Sequence, residues 1–133
     1  MARTEAQRRG DAAEALVVAG LERAGWRILG RQVRVGRNEL DIVAVDQGPP
    51  GRLVAVEVRW RADRRFGLPE ETFDGRKQRR VRAAILESIA IGRLPDGTVL
   101  PRFPLRVDLV VVEPPARPGL DPRVRHHRDA LAD

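Results

Sequence analysis

Acidic side chains interrupt two strongly apolar stretches of the sequence, at Glu39 and Asp41 in the first and at Glu57, two residues before Arg59, in the second. Side chains alternate along an extended strand, so Glu39 and Asp41 share one face, and Glu57 and Arg59 share one. In a hairpin of suitable register, Asp41 and Glu57 lie side by side. Two carboxylates so close repel unless a cation lies between them, and oxygen ligands with water suit Mg²⁺ or Mn²⁺. The pattern indicates a candidate divalent-metal site.

The same pattern also fits solvent-facing charges on the polar side of a half-exposed hairpin. Three features favour the metal site. The acids stand within otherwise apolar strands, and cations cluster directly downstream. A third carboxylate, Glu14, falls on the edge of the apolar stripe of a predicted helix at about 100° per residue. Both interpretations stay open on these residues alone.

The elements that must position these residues follow from periodicity and turn signals. Thr4 is a candidate N-cap for a first helix that ends before Gly25, and Asp74 caps a second helix. Apolar alternation predicts strands, with Gly- and Pro-rich turns between them. The predicted elements are a helix over residues 4–24, strands within 26–35, over 39–45 and over 52–60, a helix over 74–91 and a strand over 105–112. This order predicts a small α/β domain with a mixed sheet.

The composition changes after Glu113. The strand at residues 105–112 is apolar enough to be buried on both faces, as in a sheet covered by helices. Beyond it the sequence turns to Pro-Pro-Ala-Arg-Pro-Gly and then to a basic segment. We therefore expect one domain over residues 1–113 and a loosely attached, Pro-rich basic tail over residues 114–133.

Two further groups of polar residues are expected to be structural. Arg106 and Asp108, at the start of the last strand, are interpreted as an ion pair. His126 and His127 belong to the predicted tail. Adjacent side chains in a strand point in opposite directions, so these two histidines are not expected to form a zinc site.

The charge balance favours a polyanionic partner. Lys and Arg number 25 against 19 Asp and Glu, which gives a net charge of +6 and a pI near 11.3. Residues 52–82 contain ten cations and five acids, so most of the surplus lies there. Such a surplus favours nucleic acid or an acidic membrane face, although a solvated, Arg-rich surface has the same composition.

Several classes of protein are excluded by composition. The chain has no cysteine, which removes disulfides, thiolate zinc sites and thiol nucleophiles. No apolar run approaches the roughly 20 residues that a membrane span needs, and the N-terminus lacks the apolar region of a secretory signal. We expect a cytoplasmic protein with no membrane partner.

Six short motifs occur in order between Gly10 and about Val112. They are Gly10-x-x-Ala13-Glu14, Glu39-Leu40-Asp41-Ile42-Val43-Ala44, Val56-Glu57-Val58-Arg59-x-Arg61, Phe66-Gly67-x-Pro69, Lys77-Gln78 and Arg106-x-Asp108. Together they resemble the YraN-like uncharacterised protein family of bacteria, which is placed in the PD-(D/E)XK, restriction-endonuclease-like nuclease superfamily. Archaeal Holliday-junction resolvases are similar in the helix-borne Glu and in an Asp…Glu-x-Lys hairpin.

The resemblance implies a restriction-endonuclease-like α/β fold, a mixed β-sheet flanked by helices in the order αβββαβ, and phosphodiester hydrolysis with Mg²⁺ or Mn²⁺. It implies that Asp41 is the central metal ligand and that Glu57 is the first acid of the E-x-K element. The backbone carbonyl of Val58 would complete the ligands, and Glu14 would hold the metal directly or through water. Glu39 is a candidate for supporting these ligands from outside.

Arg59 stands where the superfamily usually has lysine, and with Asp41 and Glu57 it completes the candidate catalytic set. Arginine can stabilise a developing oxyanion through two hydrogen bonds, but it stays protonated and cannot relay a proton from water. If the mechanism needs a lysine base, the protein is slow or inactive. If the metal ion activates the water, Arg59 is compatible with turnover. A second departure is Arg37-Asn38, which separates Gly36 from Glu39 and alters the turn.

Basic residues of the loop and of the second helix form the candidate nucleic-acid surface. Cations in the first turns of a helix oppose the positive end of its dipole, and a phosphate backbone lying there would offset that cost. Lys77 is the only lysine, and we expect it to point toward the site and supply the ammonium that position 59 lacks. A solvated basic face is the alternative. The candidate contacts are Arg61, Arg64, Arg65, Arg76, Lys77, Gln78, Arg79 and Arg80.

Three functions compete on this basis. The first is a divalent-metal-dependent DNA endonuclease, with branched or structured DNA as a candidate substrate. The second is a catalytically inactive nucleic-acid-binding module with a nuclease-like fold, and the third is a protein-interaction factor for DNA repair or uptake machinery. The first requires Glu14, Asp41 and Glu57 to converge on one pocket. A nuclease of this size often needs a second subunit to cut two strands, so a homodimer is a candidate assembly.

Overall fold

The computed structural model contains two long helices and five strands in the residues that it describes, 2–65 and 67–131. Phe66 of the fourth motif lies outside the described residues. The elements are α1 (Glu5–Arg23), β1 (Arg27–Val35), β2 (Asn38–Asp46), β3 (Arg52–Trp60), a short 3₁₀ helix η1 (Pro69–Thr72), α2 (Gly75–Ile91), β4 (Leu105–Glu113) and β5 (Arg123–His127).

Both long helices begin at the predicted caps. The Thr4 hydroxyl accepts a hydrogen bond from the Gln7 backbone N–H at 3.1 Å, and the Gln7 side chain accepts one from the Thr4 N–H at 2.8 Å. The Asp74 carboxylate accepts from the Lys77 N–H at 3.0 Å. These bonds satisfy backbone donors that no helical carbonyl reaches. Gly92 ends α2 in the left-handed conformation, with φ of 85°.

The sheet is mixed and has the strand order β1-β2-β3-β4-β5. β1 and β2 pair with their successors in antiparallel hairpins, β3 pairs with β4 in parallel, and β5 runs antiparallel to β4. A parallel pair needs a crossover connection, which α2 provides between β3 and β4. The predicted mixed α/β class is confirmed, and the architecture is consistent with a restriction-endonuclease-like fold.

Each face of the sheet is covered by one helix. Neighbouring residues of a strand contribute to opposite cores, as the alternation of β2 illustrates, since Ile42 packs on the α1 side and Val43 on the α2 side. From Val107 to Glu113 every residue of β4 is buried, as its apolar sequence predicts for a strand covered on both faces. No helix in the described part of the chain is both long enough and apolar enough to cross a membrane.

The segment expected to be a loosely attached tail contains a strand, because β5 (Arg123–His127) completes the sheet. Its residues pair in register with β4, from Leu109 opposite His127 to Glu113 opposite Arg123. Val124 is the only apolar residue in β5, which is why apolar alternation does not reveal the strand. Its side chains bind carboxylates of β4 and η1 instead, and Arg125 contacts the buried Glu113.

One of the carboxylates that hold β5 is Asp108, which is completely buried on β4. Arg106 donates to both of its oxygens at 2.8 and 2.9 Å, which confirms the predicted ion pair. Nε2 of His126 lies 2.8 Å from Asp108, and the Asp129 N–H donates to it at 3.0 Å. His127 is directed to a different acid, Glu70, at 2.9 Å, so each of the two histidines is engaged by its own carboxylate.

Candidate functional site

The hairpin of β2 and β3 places two of the predicted acids at adjacent positions. Ile42 is opposite Val56, and continuing that antiparallel register places Asp41 opposite Glu57. The Asp41 carboxylate accepts a hydrogen bond from the Val58 backbone N–H at 2.8 Å. The side chain thus takes the place of a ladder carbonyl, which holds it at the end of the strand pair.

Glu57 is almost completely buried, with 1% of its surface exposed. Its Oε1 lies 2.6 Å from Nη1 of Arg59 and 3.5 Å from Nζ of Lys77. No group within residues 2–65 and 67–131 gives this oxygen a hydrogen bond of acceptable geometry. Burial, and then the charge of Asp41, raise the pKa of Glu57 to about 7, while the charges of Arg59 and Lys77 act in the opposite direction. The carboxylate is therefore incompletely compensated and would gain from a further cation.

Glu14 approaches Asp41 from α1, which covers the face of the sheet opposite to the one that α2 covers. It is 6% exposed and accepts a hydrogen bond from Nε of Arg31 at 3.2 Å. Burial raises the pKa of Glu14, the Arg31 hydrogen bond lowers it, and the charge of Asp41 raises it further. The charge of Asp41 thus acts on both glutamates.

A cavity of about 490 Å³ opens beside these acids. Glu14, Asp41, Val58 and Arg59 all line it, which brings residues from α1, β2 and β3 to one space. Glu57 is not part of this lining in the described structure and lies behind it, toward Lys77. Other lining residues include Arg3, Asp11, Gln32, Arg34 and Glu39. Both acids and cations reach the cavity, as a site for a metal-bound anion requires.

The acids of the cavity fit a cation that keeps several of its waters better than a cation coordinated by protein groups alone. No group of three or more Asp, Glu or His side chains in the described residues is arranged to hold a metal ion. Mg²⁺ usually keeps several waters and is bound by one or two carboxylates together with substrate phosphates. Asp41 and Glu14, which line the cavity together with Val58, supply carboxylates in that smaller number. The convergence of three acids expected from the sequence is met in part: Glu14 and Asp41 share the cavity, and Glu57 lies beside Asp41 but outside the cavity lining.

Glu39 and Arg59, two of the candidate site residues, both contact other side chains at the cavity. Glu39 is exposed at the cavity, with its carboxylate 3.6 Å from Nη2 of Arg34. Arg59 donates from Nε to the Thr72 hydroxyl at 3.0 Å while its Nη1 lies against Glu57. The guanidinium is therefore held between β3 and η1 at the wall of the cavity.

The candidate nucleic-acid residues divide into engaged and exposed groups. Arg64 donates to both oxygens of the buried Glu113 at 2.9 and 2.8 Å, so its guanidinium is committed to the fold. Arg65 pairs with Asp63 at 3.0 Å on the surface. The Gln78 amide donates to the Phe73 carbonyl. Among the described acids none forms an ion pair with the remaining arginines of the set, which are exposed: Arg61, Arg76, Arg79 and Arg80.

Gln32 is one of several cavity residues that the sequence patterns missed, the others being Arg3, Gln7, Asp11 and Arg34. Gln32 has a left-handed backbone, with φ of 48°, which is uncommon for a residue other than glycine or asparagine. Its side chain donates to Asp11 at 3.3 Å and lines the cavity near Glu14. Strained backbone conformations occur preferentially at functional sites. A glycine or asparagine here would have signalled the irregularity, whereas glutamine within an apparently regular strand does not.

Comparison with known proteins agrees with the motifs. Residues 13–112 match the Uncharacterised protein family UPF0102. A UPF0102 protein of Symbiobacterium thermophilum is 41% identical to this chain over 119 residues, which cover 90% of each protein. A UPF0102 protein of Xanthomonas campestris is 40% identical over 111 residues, which cover 82% of this chain and 84% of its own. The matched region contains the cavity acids and the helix α2, and the chain belongs to the UPF0102, or YraN-like, family.

Proposed function

We propose that this protein is a divalent-metal-dependent endonuclease that hydrolyses phosphodiester bonds in DNA. The observation that carries the proposal is the position of Asp41 between two buried glutamates, beside an open cavity. Like charges gathered in a buried place cost stability, and such costs are typical of sites that bind cations or perform chemistry. Burial is the largest cause that raises the pKa values of Glu14 and Glu57, and the charge of Asp41 raises both further.

Asp41, Glu14 and the Val58 carbonyl are the groups that would hold Mg²⁺ or Mn²⁺. A bound divalent ion polarises a phosphate oxygen and lowers the pKa of water, which is the chemistry that hydrolysis needs. Arg59 lies at the cavity wall and remains protonated, so it can stabilise negative charge that develops on the phosphate. Glu57 holds that guanidinium at 2.6 Å and orients it.

The exposed arginines support DNA as the substrate. Arg76, Arg79 and Arg80 lie on the first turns of α2, and Lys77 in the same turn reaches Glu57. A phosphate backbone that crosses this end of α2 would therefore pass close to the cavity. Contacts of this kind bind DNA without reading its sequence, so we propose recognition of DNA shape rather than of bases.

A catalytically inactive DNA-binding module is the second candidate. It is favoured by the ion pairs that the acids already form, since Arg31 contacts Glu14 and Arg59 contacts Glu57. In such a module the cations take the place of the metal ion. The basic surface would be unchanged, so DNA binding alone does not separate the two candidates.

Metal titration and cleavage separate them. We expect the full chain to bind Mn²⁺ in calorimetry and to nick supercoiled plasmid and a four-way DNA junction in Mg²⁺ or Mn²⁺, with no nicking in EDTA. Salt-sensitive DNA binding with no cleavage of any DNA shape in either metal would contradict the endonuclease and support the inactive module.

Lys77 is expected to act on the rate of cleavage rather than on binding. Its ammonium is directed into the protein at Glu57, 3.5 Å away, and is only about a third exposed. We expect Lys77→Met to lower the cleavage rate at saturating DNA by about 100-fold, the effect of removing one preorganised charge near developing negative charge. The DNA dissociation constant should change less than about threefold. Gel-shift titrations and single-turnover cleavage measure the two quantities.

Arg93→Met is the matched control for Lys77→Met, because Arg93 is exposed beyond the end of α2 and the substitution removes the same charge. It should leave both quantities unchanged. A defect of Lys77→Met that disappears at saturating DNA would show that Lys77 is an ordinary phosphate contact.

A further inference from the structure

The short helix η1 is fastened to β5 by a pair of parallel hydrogen bonds. Nε and Nη2 of Arg125 donate to the two oxygens of Glu70 at 2.7 and 2.8 Å. His127, two residues later in β5, lies 2.9 Å from the same carboxylate. A bidentate arginine–carboxylate pair fixes orientation as well as distance. The position of η1 is thus set by a strand 55 residues later in the chain.

The segment between β3 and η1 is fastened at a second point. Glu113, which is 1% exposed, accepts two hydrogen bonds from Arg64 and one from Arg125. Arg125 therefore touches both anchoring carboxylates, Glu70 and Glu113. Because Arg64 lies between β3 and η1 and Glu70 lies within η1, the end of β4 holds the connecting segment and β5 holds η1.

Thr72, the last residue of η1, transmits this placement to the cavity. Its hydroxyl donates to the Pro69 carbonyl at 2.7 Å, which leaves an oxygen lone pair directed to accept from Arg59. Nε of Arg59 donates to it at 3.0 Å. The remaining face of the guanidinium lies against Glu57. Arg59 is thus held on one side by its own strand and on the other by η1.

We propose that Arg125 and Glu70 are positioning residues, which hold the Arg59 guanidinium at the cavity through Thr72. The proposal rests on the proposed function only for its effect on cleavage, since the placement of Arg59 can be measured without a substrate. The alternative is a clasp that stabilises the fold and leaves Arg59 unaffected. The C-terminal strand would, on our proposal, be part of the working site.

The test compares Glu70→Gln with Glu71→Gln, its neighbour in η1. Both remove one negative charge, but Glu71 does not contact Arg125 among the described contacts. The Nε–H signal of Arg59 is observed by ¹⁵N NMR of the full chain and assigned by its loss in Arg59→Lys. We expect Glu70→Gln to speed exchange of this proton with water by at least about tenfold, because hydrogen-bonded protons exchange only after opening. Glu71→Gln should leave the exchange rate unchanged.

Substitutions of Thr72 provide a second test of the positioning of Arg59. Thr72→Val, which keeps the shape and removes the acceptor, should speed exchange as Glu70→Gln does, and Thr72→Ser should restore protection. In cleavage, Glu70→Gln and Thr72→Val should lower kcat about tenfold with KM changed less than twofold. An unchanged Arg59 signal in Glu70→Gln would overturn the positioning role, even if the melting temperature falls. If the wild type cleaves no DNA but the signal responds as expected, the proposed function fails and the positioning of Arg59 stands.

Discussion

Replacement of Asp41 with asparagine is expected to reduce metal-dependent cleavage by about 1,000-fold and, at the same time, to stabilise the fold. The loss of rate follows because asparagine removes the central charge of the cation site, and removal of one essential electrostatic group typically costs two to three orders of magnitude. The gain in stability follows because the charge of Asp41 repels Glu14 and Glu57, whose pKa values it raises. The asparagine oxygen can still accept the Val58 N–H.

Opposite changes in rate and stability distinguish a functional charge from a structural one. Single-turnover cleavage in Mn²⁺ and urea unfolding in EDTA measure the two effects. Asp96→Asn is the matched control, because Asp96 is exposed, accepts from the Thr98 N–H at 2.9 Å and lies in a loop remote from the cavity lining. A lower free energy of unfolding for Asp41→Asn would show that Asp41 serves the hairpin, and would remove the observation on which the endonuclease rests.

Replacement of Asp108 with alanine is expected to lower the free energy of unfolding by about 3–5 kcal/mol, the usual cost of removing one partner from a buried ion pair. Asp108 has no exposed surface, and its loss would remove the acceptor of His126, of the Asp129 N–H and of Nε and Nη2 of Arg106, whose Nη1 alone would keep its contact with Asp46. A small domain is stable by only about 5–15 kcal/mol. The variant should therefore unfold at much lower urea concentration than the wild type.

Asp121→Ala, at an exposed position in the connection before β5, is the control and should be neutral within about 0.5 kcal/mol. Burial by itself would raise the pKa of Asp108, but the bonds from His126, Arg106 and the Asp129 N–H outweigh it and lower the pKa. The stabilisation is thus complete above the ordinary aspartate pKa and is lost as the pH falls through the lowered value. An Asp108→Ala variant with wild-type stability at neutral pH would contradict the role given to this acid.

The local features of the fold were predictable because they depend on residues close together in the sequence. Thr4 and Asp74 cap the helices that follow them, since a cap bonds an N–H three residues away. The opposition of Asp41 and Glu57 follows from the two-residue repeat of strands joined in a hairpin. Apolar composition alone predicted that β4 would be buried.

Several features of the site were not predictable in this way. Periodicity placed Glu14 on the edge of a helical stripe, but only the packing of α1 on the sheet shows that it is buried beside Asp41. Arg64 resembles a surface cation in sequence, whereas the structure directs it to Glu113. The three acids of the predicted metal site were expected to meet in one pocket, whereas Glu14 and Asp41 line the cavity and Glu57 lies outside its lining.

From its sequence alone, the chain specifies its two long helices, the strands β1 to β4, the pairing of its two acidic strands and its family. The tertiary structure decides which charged side chains form ion pairs with one another. Arg125 and Glu70 are 55 residues apart in the sequence and form an ion pair. The strand β5 has one apolar residue, and it pairs with β4 because its arginine and histidine side chains bind buried carboxylates. The physical reason is that periodicity indicates which face of a helix or strand a residue occupies. The partner of a charged side chain depends instead on which distant strands and helices lie next to it in the folded protein.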